Sequence, residues 1–99
     1  MDKSITSREY RLFLEQLRAS REQAGITQIE LAERLKETQS FVSKCERGER
    51  RLDIIEVRAF CRAIGIPLAS FVQDLERILV GSDRQSMASK TRKRRMLSH

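Results

Sequence analysis

The densest chemical signal in this 99-residue chain is a set of five polar residues between positions 39 and 47. On an α-helix, which turns about 100° per residue, Gln39, Ser43, Arg47, Ser40 and Lys44 fall within an arc of about 140°. Phe41, Val42 and Cys45 fall on the opposite side, and Glu46 lies just outside the polar arc. One face can therefore anchor in a core while the other offers donors, two of them cationic, without a carboxylate. Such a strip suits the DNA major groove. Glutamine can pair with adenine N6 and N7, lysine with guanine O6 and N7, and serine with either base. Arg47, Arg50 and Arg51 cluster at the end of this segment and in the following link, where phosphates would flank a docked helix. Two plainer readings remain open: a solvated helix face looks the same in isolation, and the three arginines could pair with Glu46 and Glu49.

Apolar periodicity and punctuation predict five helical segments that position this strip. The first runs from about Ser7, a reasonable N-cap, to Ala24, with Tyr10, Phe13, Leu14, Leu17 and Ala24 near one stripe and Gly25 past its end. The second starts at Thr27, which has Glu30 at the capping-box spacing and Leu31, Ala32 and Leu35 facing inward. Thr38 caps the third, Gln39 to Arg47, which stops at Gly48. Asp53 and Glu56 form a second capping-box pair ahead of a fourth helix, whose Ile54, Val57, Cys61 and Ile64 share a face and which Gly65 ends. Pro67 opens the fifth, expected over Leu68 to Val80, with Gly81 as its stop.

Composition narrows the function classes. Charged residues make up 34% of the chain and aromatics 5%, with one Pro and four Gly, which favours helices over strands. No apolar run approaches the roughly 20 residues of a membrane span, and the N-terminus lacks a signal peptide's apolar stretch, so a cytoplasmic location is expected. The net charge of +6 resides mostly after position 81, where Arg84, Lys90, Arg92, Lys93, Arg94 and Arg95 face only Asp83. Residues 82–99 read as a disordered basic tail, either an anchor acting by counterion release or a solubility tail. Cys45 and Cys61 sit in apolar patterns and read as small core residues. With one His and no metal-spaced cluster, neither a metal nor a cofactor is expected. No nucleophile–base arrangement, phosphate loop or paired carboxylate suggests an enzyme.

The stretch GITQIELAERLKETQSFVSKCERGER, with the five-helix layout around it, resembles the phage repressor and Cro type of helix-turn-helix domain, the XRE family. The matching features are Thr-Gln-x-Glu-Leu-Ala opening helix two, a second Thr cap eleven residues after the first, and Val-Ser-Lys-x-Glu-x-Gly closing helix three. The likeness covers roughly residues 8–80. It implies an all-α, compact five-helix, lambda-repressor-like domain over residues 1–81, with the helix-turn-helix at 27–47. It also implies that Gln28 contacts a phosphate and braces Gln39, the best candidate for direct adenine contact. Ser40 and Lys44 match the other base-reading positions, Ser43 and Arg47 backbone or groove-edge contacts, and Arg21 and Glu46 a structural ion pair that orients the reading helix. The sequence departs from the family in three places. Lys36 occupies the turn position usually held by Gly, where left-handed backbone costs a non-Gly residue about 1 kcal/mol. Glu37 replaces an apolar residue, and Cys45 a larger one.

A sequence-specific regulator of transcription that binds double-stranded DNA is therefore expected, of bacterial or phage type, with repression its expected mode. A single module of this size buries about 600–1,000 Å² on DNA, too little for tight binding alone, so a homodimer reading an inverted repeat is expected. The apolar surplus of helix five, among Phe71, Val72, Leu75, Ile78 and Leu79, is its expected contact. The chain has no room for a sensing domain, which leaves concentration, a partner or proteolysis as its control. The alternative is a protein-interaction module, such as the antitoxin of a toxin–antitoxin pair, that binds a protein through helix five or the tail. Non-specific nucleic-acid binding through the tail alone is a third reading.

Overall fold

The structure, a computed structural model, describes residues 7–98, with side chains described as far as Gln85. Its elements are α1 (Arg8–Gln23), α2 (Gln28–Leu35), α3 (Gln39–Arg47), α4 (Ile54–Ile64) and α5 (Leu68–Ser98), and no strand occurs among the described residues.

Local chemistry sets the helix starts. Ser7, Thr27, Thr38 and Asp53 each accept, through a side-chain oxygen, the backbone N–H three residues on. At Thr27 and Asp53 the box closes, because the Glu30 and Glu56 carboxylates accept the cap residues' own N–H groups, both at 2.9 Å. The helix ends share a device too. At α1 to α4 the residue after a left-handed position (Gly25, Lys36, Gly48 or Gly65) donates its N–H back to a carbonyl five residues earlier. This wrap satisfies carbonyls that a helix end leaves open. At α2 it is built on Lys36, with φ 59° and ψ 42°, so the side chain sits in a backbone region that Gly would occupy freely.

The core gathers Leu17 of α1, Ile26, Leu31 and Ala32 of α2 and its lead-in, Val42 and Cys45 of α3, Val57, Phe60, Cys61 and Ile64 of α4, and Phe71 of α5. Burying each large apolar side chain contributes roughly 1.5–3 kcal/mol. Helix α2 packs against both α3 and α4, while α1 packs against α3 and α5. Phe13 meets Phe71 edge-on at 6.0 Å, and Gln16 Nε2 donates to the Phe71 carbonyl at 3.0 Å, which fastens α5 to α1. Cys45 and Cys61 are free and buried, and burial pushes both thiols up from their ordinary pKa.

Three expectations are corrected. Ile54 does not share the buried face of α4: it is 58% exposed, and Phe60 fills the core instead. Asp53 caps the helix directly before Ile54, so Ile54 lies in the first turn, where most of its side chain meets solvent. Phe71 is 2% exposed within a single chain and so belongs to the core, not to a contact with a second copy. Gly81 does not stop α5, whose backbone continues to Ser98. Gly81 does not adopt the left-handed conformation of the other glycines, and inside a helix a Gly costs only about 1 kcal/mol. The expectation of disorder over 82–99 falls, for its larger part, outside the described side chains.

Candidate nucleic-acid interface

Helix α3 is held by its inner face and presents its outer one. Val42 and Cys45 are fully buried, and Phe41 is half-buried against Phe60 with ring centroids 6.4 Å apart. Gln39, Ser40, Lys44 and Arg47 are exposed, and Ser43 is half-buried. The strip expected from the helical wheel is thus brought together on one surface.

An ion pair in the interior braces this helix. The Arg21 side chain is buried, and so is the carboxylate it holds. Its Nε donates to Glu46 Oε2 at 2.7 Å and its Nη2 to Glu46 Oε1 at 3.1 Å, in a two-pronged fork. Its Nη1 donates to the Ile26 carbonyl at 2.7 Å. The side chains are only 7% and 3% exposed. A buried pair of this kind is costly to break, since either partner alone would remain as an uncompensated charge. The fork joins α1 to the end of α3 and the approach to α2, so α3 is fixed in angle by groups that do not lie on its outer face.

Gln28, the first residue of α2, is half-buried between this pair and the surface. Its Nε2 donates to Glu46 Oε1 at 2.9 Å, a contact that sequence spacing did not suggest. Its Oε1 accepts from Gln39 Nε2 at 3.5 Å, at the outer limit of a hydrogen bond. The first residues of the two helices of the motif are therefore linked side chain to side chain.

The three arginines are occupied in the free protein, though not all as expected. Arg47 grips Glu49 through Nε at 2.9 Å and Nη2 at 3.2 Å, and its Nη1 donates to Ser43 Oγ. Its hydrogen bonds and charge hold the Glu49 carboxyl below its usual range. Arg50 pairs with Glu56 at 2.7 Å, not with Glu46 or Glu49, and lies 4.9 Å from the Phe41 ring centroid. Arg51 stacks over Tyr10 at 4.4 Å. The Arg47–Glu49 pair is more than half exposed on both sides, and exposed pairs of this kind contribute little and weaken with salt. A phosphate arriving at Arg47 would exchange one anionic partner for another at small cost.

On α5, Val72 and Ile78 are 41% and 38% exposed, and Leu75 and Leu79 are half-buried. Ile29 and Ile55 are further exposed apolar residues, neither of them expected from the sequence, and Ile54 joins them. No described helix is long and apolar enough to cross a membrane, and no described group of three or more His, Cys, Asp or Glu residues could hold a metal ion.

The helix-turn-helix family profile matches residues 17–71. Among solved structures, the chain is similar to an XRE-family like protein from Pseudomonas syringae pv. tomato str. DC3000, at 50% identity and a TM-score of 0.68, covering 71% of this chain and 85% of that one. It is also similar in fold to the clp gene regulator ClgR from Corynebacterium glutamicum, at 21% identity and a TM-score of 0.69, over 86% of this chain and 90% of that one. No curated protein matches.

Proposed function

The chain belongs to the XRE family of helix-turn-helix proteins, and from that premise we propose that it is a repressor that works as a two-fold dimer. A DNA-binding regulator of transcription is what the family membership gives. In the proposed complex α3 enters the major groove, with Gln39, Ser40 and Lys44 on base edges and Ser43 and Arg47 on the DNA backbone at the groove edge. Gln28, Arg50 and Arg51 meet the flanking phosphates. The observation that carries this reading is the outer face of α3: donors and amides without a carboxylate, on a helix whose other face is buried and whose end is tied to α1 by the Arg21–Glu46 fork.

The second copy docks through Val72, Leu75, Ile78 and Leu79 of α5. These residues keep apolar surface outside the core, whereas Phe71 does not. Pairing joins two modules, each too small for tight binding, and places two reading helices on half-sites about one helical turn apart. Residues 1–81 form the DNA-binding unit, and 82–99 are a basic tail that adds salt-sensitive affinity. The protein acts in the cytoplasm, and occupancy of an operator overlapping a promoter suffices to repress.

Selection of random duplex DNA by the full chain, at a salt concentration that suppresses non-specific binding, tests this directly. An inverted repeat in the bound pool is expected, with a reporter driven from that sequence falling when the protein is present. An asymmetric single site would remove the two-fold dimer, and an unenriched pool would remove base reading itself.

A further inference from the structure

We propose that Glu46 sets the base preference of Gln39, acting through Gln28 by fixing the direction of two amides in turn. The inference rests on the base-reading role given to Gln39 above and adds what decides which end of that side chain faces the DNA.

The direction follows from donor and acceptor inventories. A carboxylate paired with a guanidinium offers only acceptors, and Glu46, its side chain 3% exposed, is held in place by the Arg21 fork. Any amide that reaches it must present its NH2 group, as Gln28 does at 2.9 Å. Turning the Gln28 amide over would set its oxygen against a carboxylate oxygen. Its Oε1 is thereby committed to the other side, where it can only accept, and the partner found there is Gln39 Nε2. Gln39 then has one N–H and its Oε1 left for the outside. The chain runs from a buried anion, through a half-buried amide, to an exposed one.

An outward N–H beside an outward carbonyl oxygen matches adenine, whose N7 accepts and whose N6 amino group donates. It does not match guanine, which shows two acceptors at the same edge. A Gln39 free to turn could offer its whole NH2 group instead and would discriminate less. Glu46 is in this sense a positioning residue: it touches no base, yet it determines what Gln39 can accept.

The test uses the full chain and the site selected by the unaltered protein. The base pair read by Gln39 is the one whose preference vanishes in Gln39→Ala. Affinities are then measured for four duplexes that differ only at that pair. Gln28→Met cuts the relay and leaves the Arg21–Glu46 fork in place, with folding checked by circular dichroism. Adenine is expected to be favoured about tenfold over guanine by the unaltered chain and less than about threefold by Gln28→Met, in line with the worth of one bidentate base contact. The Arg21→Met, Glu46→Leu double variant removes the anion together with its partner and leaves Gln28 free to turn, so once folded it is also expected to favour adenine by less than about threefold. If that variant does not fold, Gln28→Met decides alone. A Gln28→Met protein that keeps the full adenine preference, whether or not its affinity falls for all four duplexes together, overturns the relay, as does a folded double variant that keeps that preference. An unenriched pool from the unaltered chain would instead count against base reading as such.

Discussion

The backbone N–H of Leu52 donates to the Tyr10 hydroxyl at 3.0 Å, joining residues 42 positions apart. The same ring lies under the Arg51 guanidinium at 4.4 Å and contacts Phe13 at 5.2 Å between centroids. Tyr10 thus supports the α3–α4 link from below and holds in place the segment that carries Arg50 and Arg51. Tyr10→Phe keeps the ring and removes the acceptor from a partly buried amide. The expected cost is about 1 kcal/mol of stability, read as a lower urea midpoint at unchanged slope. Hydrogen exchange at the Leu52 amide should quicken more than at core amides such as that of Val42. Equal effects at the two sites would mean that Tyr10 supports the whole fold and not this link.

At the turn between α2 and α3, Lys36 is an exposed residue with φ 59°. The left-handed region costs a side-chain-bearing residue roughly 1–2 kcal/mol, part of which Gly would return through its larger unfolded-state freedom. Lys36→Gly should therefore stabilise the domain by up to about 1 kcal/mol. A Lys36→Gly protein that melts below the parent would show that the Lys36 stem stabilises the turn more than its backbone strains it.

Features set within one helical turn were legible in the sequence. Thr27 with Glu30, Thr38, and Asp53 with Glu56 act across three residues, so their spacing alone announces the starts of α2, α3 and α4. The outer face of α3 was legible for the same reason, since its period is that of one helix. Contacts that depend on how elements meet were not. Gln28 to Glu46 and Tyr10 to Leu52 join residues 18 and 42 apart. Sequence spacing offers Arg50 the nearby Glu46 and Glu49, whereas the start of α4 places Glu56 beside it. Gly81 misled because a glycine after an apolar run marks a helix end only when its backbone turns left-handed, and here it does not.

The capping boxes give stability a definite dependence on pH. Hydrogen bonds from the Thr27 backbone and side chain hold the Glu30 carboxyl below its usual range, and the Arg50 side chain with the Asp53 N–H does the same for Glu56. Carboxyls lowered in the folded state contribute stability fully above their unfolded values, near pH 4.3, and lose it as pH falls through the folded values. The melting temperature should therefore hold from pH 7 to about 5 and drop below that. Glutamine can close a capping box without titrating, so Glu30→Gln should flatten part of the drop. An unchanged acid limb in that variant would assign the acid loss to other carboxylates.

The Arg21–Glu46 fork should separate stability from angle. Arg21→Met leaves a carboxylate buried without its partner, which costs about 3–5 kcal/mol, a large share of the 5–15 kcal/mol typical of a domain. Adding Glu46→Leu removes that orphan charge, and much of the lost stability should return, because apolar replacement of a whole buried pair is often neutral. A coupling energy near zero between the two substitutions, measured as a double-mutant cycle, would show that the fork contributes nothing beyond the separate residues. The refolded double variant should still bind DNA more weakly than the parent, since Gln28 has lost its anchor.

Arg47 and Glu49 bear on affinity for DNA in opposite directions. Free, they hold each other through two hydrogen bonds on an exposed surface at the end of α3. In the proposed complex Arg47 turns to a phosphate, and Glu49 is left as a negative charge beside the duplex. Glu49→Gln keeps the shape, removes that charge and removes the competing anion, so affinity should rise severalfold at low salt. The logarithm of affinity falls with the logarithm of salt by about 0.9 per neutralised phosphate. Arg47→Ala should therefore lower the slope by about 1, and Glu49→Gln should leave it unchanged or make it steeper. If Arg47→Ala binds with the parent's slope while Glu49→Gln still binds more tightly, Arg47 remains with its own carboxylate on DNA, and the gain comes from removing repulsion alone.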